Sequence, residues 1–142
     1  MNENALEIIE LELAILLRRS TSENNHKKIG TLDRSAYLLL RRIARKGAVG
    51  VKVLAGEFQL DISTVSRQAA ALEQKGFLYK IPDPLDGRAY TFQITELGMK
   101  ELFEHIEARM ERIRELLNDW PEEECRIFGE LLRKFNYSFL QR

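Results

Sequence analysis

VLAGEFQLDISTVSRQAAALEQKGFLYKIPDPLDGRAYTFQIT, residues 53–95, reads as two short helices, a tight turn and a two-stranded hairpin. Asp61 precedes Ile62-Ser63-Thr64-Val65-Ser66-Arg67-Gln68, and its carboxylate is suited to cap that helix by accepting a backbone N–H. Val65, Ala69 and Leu72 follow at spacings of four and three, one apolar stripe. The other face carries Ser63, Thr64, Arg67 and Gln68 with Ser66 beside them, and no acid appears until Glu73. Gly76 after Lys75 offers a left-handed stop. Such a face, entered through a short turn from another helix, suits the DNA major groove. Most polar helix faces are merely solvated, so the helix alone does not decide the matter.

The segment C-terminal to that helix is more decisive. Residues 77–81 form a strand, residues 82–88 a turn-rich loop, and residues 90–94 alternate as the returning strand. Helix, turn, helix and hairpin in that order make a winged helix. Arg88 at the tip stands beside Asp86, whose carboxylate could hold the guanidinium outward. An Arg there fits a narrow minor groove, where the negative potential is enhanced. An ordinary surface ion pair is the plain alternative for that loop.

Four segments together, STVSRQ at 63–68, ALEQKGFL at 71–78, DPLDGRA at 83–89 and ITELG at 94–98, resemble the MarR family of small bacterial winged-helix transcription regulators. The similarity runs through nearly the whole chain in element order and is most specific from Leu54 to Gly98. It implies a homodimer, a major-groove recognition helix, a minor-groove wing with a D-x-R tip, and often a ligand-responsive repressor. Some members sense oxidants through a cysteine near the N-terminal helix, where this chain has none. Others bind zinc or a small aromatic ligand between the dimerisation helices and the DNA-binding lobe. Tyr37, Phe103 and Trp120 could line such a cavity, although aromatics at helical spacing are more often plain core.

Composition fits one ordinary globule. The chain has 142 residues, 44% apolar and 31% charged, enough for one domain with a real core. No apolar run approaches the roughly 20 residues of a membrane span, and the acidic N-terminus is unlike a secretory signal. One cysteine excludes an internal disulfide framework and fits a reducing cytoplasm. The net charge of zero divides unevenly: residues 1–30 carry four bases and five acids, residues 31–94 ten and six, residues 95–142 eight and eleven. The net +4 therefore lies on the segment read as the nucleic-acid surface.

Outside that segment the pattern is helical. Residues 4–20 hold Leu6, Ile9, Leu13 and Leu16 on one stripe, widened by Ile8, Leu11, Ile15 and Leu17 beyond what a single surface helix needs. That excess points to burial on two sides, by the chain's own core and by a partner. Residues 21–30, which include His26, read as a polar connection, and Thr31 or Asp33 as the next cap. The following helix turns Ala36, Tyr37, Leu40, Ile43 and Ala44 inward and stops at Gly47. Ala48-Val49 is expected as a brief third strand, and Gly50 caps a helix over residues 52–58, with Gly56 making room for close packing. Residues 96–118 form a long helix with a stripe of Phe103, Ile106, Met110, Ile113 and Leu117. Pro121 opens the last helix at its first position, leaving Trp120 as an odd cap. Cys125, Phe128, Leu132, Phe135 and Phe139 repeat the three-four step, so Cys125 is expected to be a buried, inert thiol.

Catalysis finds little support. His26 and His105 lie in different elements without a second ligand at metal spacing, and no phosphate loop or nucleophile elbow appears. Neither an enzyme, nor a metal site, nor a cofactor is expected. The reading is a mainly α protein with a small β-hairpin wing: a winged helix-turn-helix flanked by N- and C-terminal dimerisation helices. Residues 1–30 and 95–142 supply dimerisation and residues 31–94 the DNA-binding lobe, in one continuous domain. The expected partners are double-stranded DNA with a pseudo-palindromic site, a second copy of the chain, and a small-molecule effector of unknown site, with no membrane. Lys52, Ser63, Thr64, Ser66, Arg67, Gln68, Asp86 and Arg88 are the expected DNA contacts. Two alternatives stay open: a winged-helix protein-interaction module, and a ligand-binding protein that has lost DNA binding.

Overall fold

In the computed structural model, which describes residues 1–26 and 32–141, six helices and one hairpin succeed each other. They are α1 (Glu3–His26), α2 (Arg34–Lys46), α3 (Val51–Phe58), α4 (Ile62–Gln74), β1 (Leu78–Pro82), β2 (Tyr90–Ile94), α5 (Glu96–Leu116) and α6 (Glu122–Ser138), with a final 3-10 turn at Phe139–Gln141. The chain divides into two compact units, Met1–Ile106 and Glu107–Arg142.

The core of the first unit is built by α2, α3, α4 and the hairpin. Leu40, Ile43, Leu54, Val65 and Ala69 are completely buried, and Leu39, Leu72, Leu78 and Phe92 nearly so. The stripe expected on α4 is the stripe buried. On α2, Leu39 joins the expected inward set of Tyr37, Leu40 and Ile43. Asp33 caps α2 through a carboxylate oxygen accepting the Ala36 N–H at 2.8 Å, while Thr31 lies outside the described residues. Gly47, at φ 91, ends the helix by donating its N–H to the Ile43 carbonyl.

The hairpin is antiparallel, pairing Leu78 with Ile94 through to Pro82 with Tyr90. β1 starts one residue later than expected, because Phe77 still turns out of the left-handed Gly76 (φ 82). Val49 adds a single bridge to Phe92, with N–H···O bonds of 3.2 and 2.9 Å in the two directions.

Several sequence expectations need correction. α1 runs on to His26 rather than stopping near Ser20, since no Gly or Pro interrupts the segment; residues 27–31 of the expected connection lie outside the described residues. His26 is therefore helical. No α1 side chain among the described residues is fully buried, so the expected packing on the chain's own core amounts to half-burial of positions such as Leu13 and Ile15. Gly56 is exposed, and a Cβ there would touch nothing, so close packing does not explain it. Pro121 is the N-cap of α6, not its first helical residue. Trp120 thus precedes the cap and lays its ring 5.4 Å from that of Phe128, two turns into the helix. α5 ends at Leu116, two residues early. Cys125 is half-buried rather than buried.

α5 carries two apolar faces. Gly98, Leu102 and His105 are the buried ones, a line that periodicity had not singled out. Phe103 of the expected stripe is 64% exposed, and Met110 and Ile113 are exposed as well. No residue of α6 is buried.

Candidate nucleic-acid interface

α3 and α4 are joined by a turn of three residues, and its shape comes from Gln59. This residue adopts the left-handed conformation (φ 56) and ends α3 with its N–H directed at the Ala55 and Gly56 carbonyls. Asp61 takes the N-cap position of α4 with extended backbone, but its side chain makes no capping hydrogen bond. The expected acceptor role of that carboxylate is therefore absent, and Asp61 remains exposed to water beside the positive end of the helix.

With Val65, Ala69 and Leu72 inward, geometry fixes what points out. Ser63 and Arg67 are exposed, one turn apart; Thr64 and Gln68 form the neighbouring ridge and are half-buried, as is Ser66. Glu73, the first acid of α4, sits 3.8 Å from Lys80 of β1. The N-terminal two turns of α4 therefore present hydroxyls, an amide and a guanidinium. Lys52 is exposed on the first turn of α3. Among the described residues, Lys52, Arg67 and Arg88 enter no ion pair. Gln68 also borders a shallow cavity of about 180 Å³ with Ser35, Leu38, Leu39, Phe58 and Leu60.

The wing tip is held by its own backbone. Asp83 donates its N–H to the Ala89 carbonyl at 2.9 Å, and Ala89 donates to the Asp86 carbonyl at 3.0 Å. The Asp83 carboxylate accepts the Leu85 N–H at 2.9 Å, and the Asp86 carboxylate accepts the Arg88 N–H at 3.0 Å. Asp86 therefore grips the backbone of Arg88, not its guanidinium. An Asx-type turn competes successfully with the expected ion pair because its partner is only two residues away. The Arg88 side chain stays exposed and uncommitted.

Arg42 of α2 clamps Glu57 of α3 by two hydrogen bonds, Nε–Oε2 at 2.5 Å and Nη2–Oε1 at 2.9 Å. Spacing within one helix could not reveal this pair, which bridges two. The Arg42 hydrogen bonds hold the Glu57 carboxyl below its usual range, against a smaller upward push from burial. A lowered folded-state pKa means the contribution is complete above the unfolded value and is lost as pH falls through the folded one. Urea midpoints of Glu57→Gln should thus lie below wild type at about pH 7, and the gap should start to narrow below the ordinary carboxylate range and vanish as the pH falls through the lowered folded value. A gap independent of pH would remove the ionic role of the clamp.

Of the aromatics considered for a ligand cavity, Tyr37 is buried with its ring 4.7 Å from that of His105. Its hydroxyl oxygen accepts a hydrogen bond from the Arg41 guanidinium. Phe103 is exposed and Trp120 belongs to the second unit, so the three do not jointly wall a cavity within either unit. Among the described residues, no three His, Cys, Asp or Glu side chains gather as a metal would require. No described helix is long and apolar enough to cross a membrane.

Comparison with known proteins agrees with this geometry. The MarR family model matches residues 32–90, from just before α2 to the first residue of β2. An uncharacterized HTH-type transcriptional regulator of Bacillus subtilis, YxaD, is 46% identical over 140 residues, covering 98% of each chain. A MarR family protein from Bacillus stearothermophilus superposes with a TM-score of 0.76 at 22% identity, over 99% of both chains. The transcriptional regulator BldR from Sulfolobus solfataricus gives 0.73 at 22% identity over the full length of both. At those identities the structural matches speak for the fold alone.

Proposed function

The chain belongs to the MarR family of DNA-binding transcription regulators, and from that premise we propose that it acts as a homodimeric, ligand-responsive repressor at a pseudo-palindromic site. Residues 31–94 are the DNA-binding lobe; residues 1–30 and 95–142 hold the dimer together. Ser63, Thr64, Ser66, Arg67 and Gln68 enter the major groove, Lys52 meets phosphate, and Arg88 reaches the minor groove from a wing that Asp86 stiffens. The carrying observation is the acid-free, outward face of the first two turns of α4.

Dimerisation draws its support from apolar surface that a single chain leaves in water. Leu6, Ile8, Ile9, Leu11, Leu16 and Leu17 of α1 are all exposed. Ile127, Phe128, Leu131, Leu132 and Phe135 of α6 are exposed too, far more than scattered surface apolar residues require. Ligand response is part of the same family-based reading.

Sedimentation tests the assembly. The full chain is expected to sediment as a dimer, and removal of residues 1–20 should give monomers or aggregates. A truncated chain that remains a well-behaved dimer would overturn the role given to α1.

A further inference from the structure

Leu85 stands almost alone in its exposure: 97% of the residue is in water, at the tip of the wing. It is also held in place. Its N–H is bound by the Asp83 carboxylate, Pro84 fixes the backbone before it, and the cross-loop bonds of Asp83 and Ala89 close the tip on either side. With the backbone already held, covering this side chain need order little further main chain. The two nearby carboxylates, Asp83 and Asp86, are both engaged with backbone N–H groups, and Arg88 lies three residues further along the same tip.

We propose that Leu85 is a second contact of the wing with DNA, an apolar anchor packed against the deoxyribose walls of the minor groove beside Arg88. The inference rests on the reading of the wing as a minor-groove contact. A protein or lipid partner would call for an apolar patch, whereas this tip offers one exposed leucine and, three residues on, one exposed guanidinium. That is a narrow, mixed probe, matched to a groove about 6 Å wide with apolar sugar walls and a negative potential. The anchor also carries specificity. A G·C pair projects the guanine amino group from the groove floor, a donor that leucine cannot satisfy, while A·T pairs leave the floor open. Leu85 therefore adds to the preference for A·T flanks, independently of the charge on Arg88.

The test separates the two side chains by salt. Full-length wild type, Leu85→Ala, Leu85→Asn and Arg88→Ala are titrated on one selected duplex, with A·T or G·C flanks, at several salt concentrations. Because the Leu85 side chain stands almost wholly in water, circular dichroism and sedimentation should match wild type for both Leu85 variants. Each Leu85 variant should lose about tenfold in affinity on A·T flanks and less on G·C flanks. A neutral contact releases no counterion, so the slope of log K against log salt should stay unchanged; Arg88→Ala should lower it by about one per wing. Wild-type affinity of the Leu85 variants alongside a loss for Arg88→Ala would overturn the anchor and leave the wing at the DNA. Wild-type affinity of all three would remove the wing itself, and the anchor with it. A salt slope reduced by Leu85→Ala would mean it acts only by displacing Arg88, and would also overturn the proposal.

Discussion

Gly98→Ala is expected to destabilise the folded chain by about 2–4 kcal/mol. A Cβ at this position would stand 2.3 Å from the Phe77 carbonyl oxygen and 2.8 Å from Cγ1 of Ile94. The oxygen belongs to backbone that cannot retreat cheaply, because it accepts the Thr95 N–H at 3.0 Å. Thr95 fastens the same corner twice more: its hydroxyl donates to the Gly76 carbonyl at 2.6 Å and accepts the Gly98 N–H at 2.9 Å, capping α5. The first turn of α5 is thereby pinned to the turn that follows α4 and leads into β1. Urea unfolding at matched protein concentration measures the effect, since association of any kind makes the midpoint depend on concentration. A loss below about 0.5 kcal/mol would mean the corner relaxes freely.

The second large effect falls on binding. Arg67→Ala should cost about 1–3 kcal/mol per half-site and relax the preference at one base pair, because an exposed guanidinium on the outward ridge of α4 can make a bidentate contact to guanine. Lys52→Ala, on the first turn of α3, should weaken all sequences alike and flatten the salt dependence, as expected of a phosphate contact. Fluorescence titration of both variants against operators changed one base pair at a time distinguishes these roles. Uniform losses for both would show that Arg67 positions the protein without reading the sequence.

The buried stripe of α4, the returning strand, the left-handed Gly76 and the Val49 half of the third strand were legible in the sequence. Each arises from local periodicity or from a residue with one conformational use. What escaped was decided by partners distant in the chain. The Arg42–Glu57 clamp joins two helices, and the Thr95–Gly98 corner needs Gly76 and Phe77 to give it meaning. On α5, Ile106 of the expected stripe packs against the core, but Phe103, Met110 and Ile113 are exposed and the buried line of Leu102 and His105 was passed over. A helix with two apolar faces does not announce which one its own core takes. At the wing, Asp86 and Arg88 are close enough for either an ion pair or an Asx-type turn, and only the folded backbone distinguishes them. The outward residues of α4 were legible as a surface, while the base that each one meets depends on how the lobe docks.

Selection of bound duplexes from a random pool, with sequencing of the survivors, tests sequence-specific binding by a dimer most directly. Enrichment of an inverted repeat is expected, with half-site centres about one helical turn, roughly 10 bp, apart. The same selection with Arg67→Ala should lose information at one position of each half-site while keeping that spacing. Recovery of an unenriched pool, or of a single unrepeated site, would contradict a two-fold dimer reading DNA through α4.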